Sequence, residues 1–163
     1  LLTEAIGAVL LIPGFLADGH GWYALWYSLY FAIGSFCNAG LGPLPGSMAN
    51  LNTYSQSICI VLMVLGGLGV YVIYDLRRYF QKKVQSTTLH NKIVLKAAFI
   101  LIVSGTLLLW LLSHTEDETA TLSVFDSLFL SVSSRTTGYS TVDPGKLSSS
   151  CQILLIVAVI VRM

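Results

Sequence analysis

Cys37-Asn38-Ala39-Gly40 and Arg135-Thr136-Thr137-Gly138 each close a short apolar stretch that lies between two longer ones. Their lengths decide the fold. Crossing the hydrocarbon core of a bilayer takes about 20 helical residues, but Trp22 to Phe36 supplies 15 and the apolar part of the second stretch, Val124 to Val132, supplies 9. Each stretch can enter a membrane and turn back. Non-helical backbone at membrane depth persists only where protein buries it or where it lines a watery path, because lipid cannot satisfy its amides and carbonyls. A short helix followed by a small-residue turn therefore points to backbone carbonyls presented to an ion.

Composition agrees. Of the 163 residues, 55% are hydrophobic and 10% charged, with a mean hydropathy of +0.75, against roughly 25% charge in an ordinary soluble domain. The expected class is an all-α integral membrane protein. A net charge of +1 with no basic patch interleaved with aromatics gives no case for nucleic acid. Cys37, Cys59 and Cys151 are too far apart for a metal motif or a disulfide framework and read as free thiols. No membrane-hydrolase pairing of nucleophile and base is visible, nor a nucleotide-binding Gly-rich loop with its Lys. Leu1 and Met163 both fall inside apolar runs, so the chain reads as part of something longer.

The expected spans are Leu1 to Ala17, Ser55 to Tyr74, Ile93 to Leu112 and Leu147 onward. Gly66, Gly67 and Gly69 suggest close helix packing. Arg77, Arg78, Lys82, Lys83 and Lys92 lie between the second and third spans, with Lys96 able to snorkel, whereas Glu116, Asp117 and Glu118 follow the third. The positive-inside rule puts the basic connection in the cytoplasm and the acidic one outside. Both short stretches then dip in from the outer face, and Trp22, Tyr23, Trp26 and Tyr27 form an interfacial belt before the first dip.

An offset of 98 positions superposes Gly7 on Gly105, Leu10 and Leu11 on Leu108 and Leu109, Tyr27 on Phe125, Phe31 on Phe129, Ser35 on Ser133 and Gly40 on Gly138. Each unit reads as span, re-entrant loop, span, in the same orientation. Parallel repeats of this kind can surround a path along the membrane normal, and a fourfold ring would need two more. At the tips, Asn38-Ala39-Gly40 and Thr136-Thr137-Gly138 combine small or polar residues with a glycine open to backbone angles closed to other residues. Carbonyl rings can replace the water of K⁺ without a fixed charge that would trap it, and the carbonyl ends of the preceding helices favour cations.

Phe31 to Leu41, reading Phe-Ala-Ile-Gly-Ser-Phe-Cys-Asn-Ala-Gly-Leu, and Ser127 to Asp143, reading Ser-Leu-Phe-Leu-Ser-Val-Ser-Ser-Arg-Thr-Thr-Gly-Tyr-Ser-Thr-Val-Asp, resemble the second and third pore loops of the Trk/Ktr/HKT superfamily of potassium transporters. Gly66-Gly67-Leu68-Gly69 with Tyr74-Asp75-Leu76 resembles the end of the second repeat. The resemblance implies repeated helix, pore loop and helix units like those of a potassium-channel pore. One repeat would cover 1–76 (outer helix 1–17, pore loop 22–40, inner helix 55–74), a basic linker 77–92, and the next repeat 93–163, truncated in its inner helix. It further implies that Gly40 and Gly138 are filter glycines, with Asn38, Ala39, Thr136 and Thr137 beside them as carbonyl donors to K⁺. The implied setting is the bacterial inner membrane, as a multi-pass homodimer bound to a cytoplasmic nucleotide-binding ring, with the connection Arg77 to Lys92 a candidate contact and no cofactor in the chain. Some members of the superfamily carry Na⁺ instead, and the first repeat, which separates these cases, is not in this chain. Arg162 departs from the apolar residue expected in the third inner helix.

Other residues carry alternatives. Asp143 either adds negative potential at an outer vestibule or makes a turn with Pro144-Gly145. Arg135 is expected to bond the terminal carbonyls of its own helix. Glu4 is a candidate helix-pairing carboxylate, and His20, His90 and His114 lack ligand spacing. A packing or assembly subunit without its own ion path is the competing class.

Overall fold

The apolar runs fold as helices, and every regular element among the described residues is helical. The computed structural model describes residues 2–43, 48–69, 72, 74, 89–115 and 121–161. Among the described residues the helices that can be bounded are α1 Leu2–Ala17, α2 Ala24–Phe36, α3 Thr53–Leu68, α4 Leu89–Thr115, α5 Val124–Thr136 and α6 Ser149–Val161. At 1.5 Å per residue, α4 is about 40 Å long, α1 and α3 about 24 Å, and α2, α5 and α6 about 20 Å, so of the described helices α4 alone exceeds a hydrocarbon core of about 30 Å. Among the described residues one helical stretch, Asn91–His114, is long and apolar enough to cross a membrane, and α1, α3 and α6 are shorter apolar helices.

Several boundaries differ from the expected ones. The third span begins at Leu89 rather than Ile93, with Lys92 and Lys96 exposed one turn apart. The expected helix 55–74 is instead interrupted: α3 runs Thr53–Leu68, Gly69 takes φ 82°, and Val72 and Tyr74 beyond it are again helical. The second short helix runs past its apolar part, Val124 to Val132, through Thr136, as the expected place of Arg135 at its end requires. The basic connection Arg77 to Lys83, Asp75, the acidic residues 116–118 and Arg162 lie outside the described residues.

The 98-residue offset has a packing counterpart. α1 packs on α2 and α3, α4 packs on α5 and α6, and α3 meets both α4 and α5. Leu11 and Leu109, Phe31 and Phe129, and Ser35 and Ser133 are buried pair by pair. One core cluster joins Leu11, Phe15, Phe31, Cys59 and Met63 of the first unit to Phe129, Val132 and Tyr139 of the second. A smaller cluster holds Leu109, Leu122, Leu130, Leu147 and Cys151 together. Outside these clusters Val9, Ile93, Phe99, Ile100, Ile153 and Ile156 are exposed, an apolar outer face that water does not favour.

Small residues bring α1 and α3 together. A Cβ at Gly7 would meet the Leu62 side chain at 2.8 Å, and one at Gly14 would overlap Ser55 Oγ. Pro13 sits inside α1, and the Tyr54 hydroxyl donates to the Leu10 carbonyl in the preceding turn at 3.1 Å. Asn52 fastens the same corner. Its Oδ1 accepts from the Ser55 amide at 2.8 Å as the N-cap of α3, and its Nδ2 donates to the Gly14 carbonyl at 3.2 Å. Asn52→Ala is expected to cost about 1–2 kcal/mol, read as a lowered melting temperature of the full-length protein in detergent; an unchanged melting temperature would count against this cap.

Candidate functional site

α2 and α5 each end in a tight turn built by the same backbone device. The Ala39 amide donates to the Gly34 carbonyl and the Gly138 amide to the Ser133 carbonyl, both at 2.9 Å. Gly40 then takes φ 68° and Gly138 φ 79°, angles in the left-handed region where a Cβ is penalised. Asn38 also has a positive φ, 54°, which asparagine tolerates better than most residues. Its repeat equivalent Thr136 is instead the last residue of α5, so the two tips are not copies: the helical ladder persists longer in the second.

The two tips meet. A Cβ built on Gly40 would overlap the Thr137 carbonyl oxygen, and one built on Gly66 of α3 would overlap the Phe36 carbonyl oxygen at the end of α2. Glycine at both positions is what lets backbone approach backbone. Gly138 is different, since nothing lies within 4 Å of a Cβ there. The Thr137 hydroxyl donates to Met63 Sδ at 3.0 Å and lies 3.3 Å from Ser133 Oγ, which ties the second tip to α3. Asn38 Oδ1 is buried and has no hydrogen-bond partner among the described residues. The carbonyl ends of α2 and α5 converge on this seam, and each carries roughly half a negative charge.

Beyond the tips the chain is clasped again. The Tyr139 hydroxyl donates to the Leu41 carbonyl at 2.7 Å, Ser133 Oγ donates to the Tyr139 carbonyl at 2.5 Å, and the Met48 amide donates to the Ser140 carbonyl at 3.3 Å. Tyr139 is 2% exposed, with its ring 5.9 Å from that of Phe31. Neither Tyr139 nor Met63 was singled out by sequence reading. The available signal was position, because Tyr139 follows Gly138 as Leu41 follows Gly40.

Arg135 stands in the last turn of α5 and reaches beyond its own helix. Its Nη1 donates across to the Ala98 carbonyl of α4 at 3.4 Å, and its side chain borders two cavities of about 140 and 220 Å³. A charged guanidinium among apolar helices needs such polar contacts and space. Asp143 makes the turn: its Oδ1 accepts from the Gly145 amide at 3.0 Å and its carbonyl from the Lys146 amide at 3.0 Å. Glu4 accepts from Cys37 Sγ at 3.8 Å, linking α1 to the end of α2. Of the expected aromatic belt, Trp22, Tyr23 and Trp26 are exposed, but Tyr27 turns inward against Phe15 and His20. All three cysteines are free, and no cluster of three His, Cys, Asp or Glu side chains able to hold a metal occurs among the described residues.

Comparison with known proteins matches residues 1–162 to the family described as TrkH, cation transport protein. The chain is similar to the potassium/sodium uptake protein NtpJ of Enterococcus hirae, with 32% identity over 94% of this chain and 35% of that protein. It is also similar to the Ktr system potassium uptake protein B of Vibrio alginolyticus, with 32% identity over 99% of this chain and 37% of the relative. The corresponding figures for the Ktr system potassium uptake protein B of Bacillus subtilis are 28%, 86% and 33%. The chain thus spans about a third of the length of the curated relatives it matches.

Proposed function

The chain belongs to the TrkH cation transport family, and from that premise we propose that it supplies two of the walls of a potassium-selective path through the bacterial cytoplasmic membrane. In this reading α1-α2-α3 and α4-α5-α6 are consecutive pore repeats, within 1–76 and 93–163, joined by the basic linker 77–92. α2 and α5 are re-entrant pore helices, and Asn38, Ala39, Gly40, Thr136, Thr137 and Gly138 offer backbone carbonyls to K⁺. The observation that carries it is the seam: two repeat-equivalent glycine turns, both with positive φ, meet backbone to backbone at the carbonyl ends of two 13-residue helices.

The physics of translocation follows from that arrangement. Carbonyl dipoles take the place of water around a dehydrating K⁺ and release it because none carries a full charge. The helix ends add negative potential at the same point and disfavour anions. An inside-negative membrane potential contributes about 2.3 kcal/mol per charge per 100 mV toward uptake. Asp143 adds negative potential at the outer mouth in this orientation. The multi-pass protein would work as a homodimer with a cytoplasmic nucleotide-binding ring, toward which the basic connection Arg77 to Lys92 would face. It carries out no chemical transformation and needs no cofactor beyond the transported ion.

Gly138 is the position at which to test the reading, because a side chain there meets open space and the folding penalty is limited to a backbone cost of about 1–2 kcal/mol. In a bacterial strain lacking K⁺ uptake, the full-length protein carrying Gly138→Ser, at membrane abundance matched to wild type, is expected to lose K⁺ uptake or its preference for K⁺ over Na⁺. Unchanged uptake and preference would make the tips packing elements. Na⁺ belongs in the assay because the Enterococcus relative is named for both ions.

A further inference from the structure

Position 139 stands 98 residues beyond position 41, the same offset that relates the two glycine turns. The Tyr139 hydroxyl therefore reaches the carbonyl of its own repeat equivalent, Leu41, across the seam at 2.7 Å. Three features hold the phenol in place. Its ring is buried against Phe31, its backbone carbonyl is fixed by Ser133 Oγ, and its hydroxyl occupies room that exists because residue 34 of α2 has no side chain. A Cβ on Gly34 would lie 2.6 Å from Tyr139 Oη, and its next contact, at 3.7 Å, would be the Leu41 carbonyl.

We propose that Tyr139 is a positioning residue for ion selectivity, a strut whose hydroxyl sets the spacing between the two glycine turns by holding the Leu41 carbonyl. The inference rests on the filter reading above and adds to it a residue whose side chain never meets the ion. Its mechanical basis is short. Gly40 and Leu41 are adjacent, as are Gly138 and Tyr139, so a bond between residues 41 and 139 fixes the distance between the turns one residue from each glycine. The Met48 amide on the Ser140 carbonyl makes a second link in the same place, but it uses backbone alone and cannot be tuned by a side chain. Carbonyls discriminate K⁺ from Na⁺ through the number and placement of oxygens, so loosening this spacing should admit the smaller ion before it stops conduction.

The test uses the full-length protein in cells lacking K⁺ uptake and reads the ratio of initial K⁺ to Na⁺ uptake at matched membrane abundance. Tyr139→Phe keeps the buried ring and removes the hydroxyl. Gly34→Ala keeps the tyrosine and displaces its hydroxyl. Each is expected to lower the ratio about tenfold, the effect of losing one buried hydrogen bond. The double variant should be no worse than either single one, because the alanine has no hydroxyl left to displace. Gly138→Ser serves as reference. If it lowers the ratio while Tyr139→Phe and Gly34→Ala leave it unchanged, or if the two singles add in the double variant, the strut is wrong and the filter stands. If Gly138→Ser is also without effect, the filter reading fails and takes the strut with it.

Discussion

Gly40→Asn is expected to remove nearly all folded protein and all K⁺ uptake, whereas Gly138→Asn leaves folded protein close to the wild-type amount. Asparagine is the informative substitute because it accepts left-handed backbone angles more readily than other side chains, so φ values of 68° and 79° cost it little at either site. What remains is space. At Gly40 the new Cβ would overlap the Thr137 carbonyl oxygen, which is backbone and belongs to the facing turn, while at Gly138 it meets nothing within 4 Å. Relieving that overlap means separating the two tips, and with them the hydroxyl bond of Tyr139 to Leu41 and the contact of Thr137 with Met63. Overpacking of this kind commonly costs about 1–3 kcal/mol, and more where backbone must move. Thermal unfolding in detergent, run beside an uptake assay, measures both parts. Equal losses at the two glycines would show that the backbone angle, and not the meeting of the turns, makes glycine necessary.

That asymmetry marks what the sequence could and could not disclose. The need for glycine at 40 and 138 was readable because a small-residue turn after a short apolar stretch has few other ways to reverse. The repeat was readable because Leu11, Phe31 and Ser35 recur at one offset as Leu109, Phe129 and Ser133, and a recurring core pattern implies recurring packing. The partners of the serines near the end of α5 were not readable. Ser131 donates to the Ile102 carbonyl of α4, Ser133 to the Tyr139 carbonyl and Ser134 to the Ser131 carbonyl. Their hydroxyls find partners inside the protein, which removes the penalty for burying them in a helix. Arg135 adds a related case: its bond to Ala98 joins residues 37 apart, and nothing local announces it. Tyr139 and Gly34 are a third case, since a phenol and the missing side chain that makes room for it are linked only by tertiary structure.

Gly66→Ala inverts a familiar sign. In an exposed helix interior, alanine for glycine stabilises by about 0.5–1 kcal/mol, and Gly66 lies in the last turn of α3, where that gain would be expected. Here the added methyl would overlap the Phe36 carbonyl oxygen and come within 3.2 Å of Asn38 Nδ2. The carbonyl belongs to the last residue of α2 and cannot rotate away without breaking the turn that presents Asn38, Ala39 and Gly40. We expect Gly66→Ala to destabilise the full-length protein by about 3 kcal/mol or more, from the cost of overpacking against backbone, and to abolish K⁺ uptake. Gly7→Ala is the matched control, because its Cβ would meet the buried Leu62 side chain and not backbone; its cost should stay within about 1–3 kcal/mol, below that of Gly66→Ala. The two melting temperatures decide the matter. If Gly66→Ala melts at or above wild type, then α3 does not press against the end of α2. The first tip would then lose its support from behind, and the seam would have to be held by the contacts of Tyr139 and Thr137 alone.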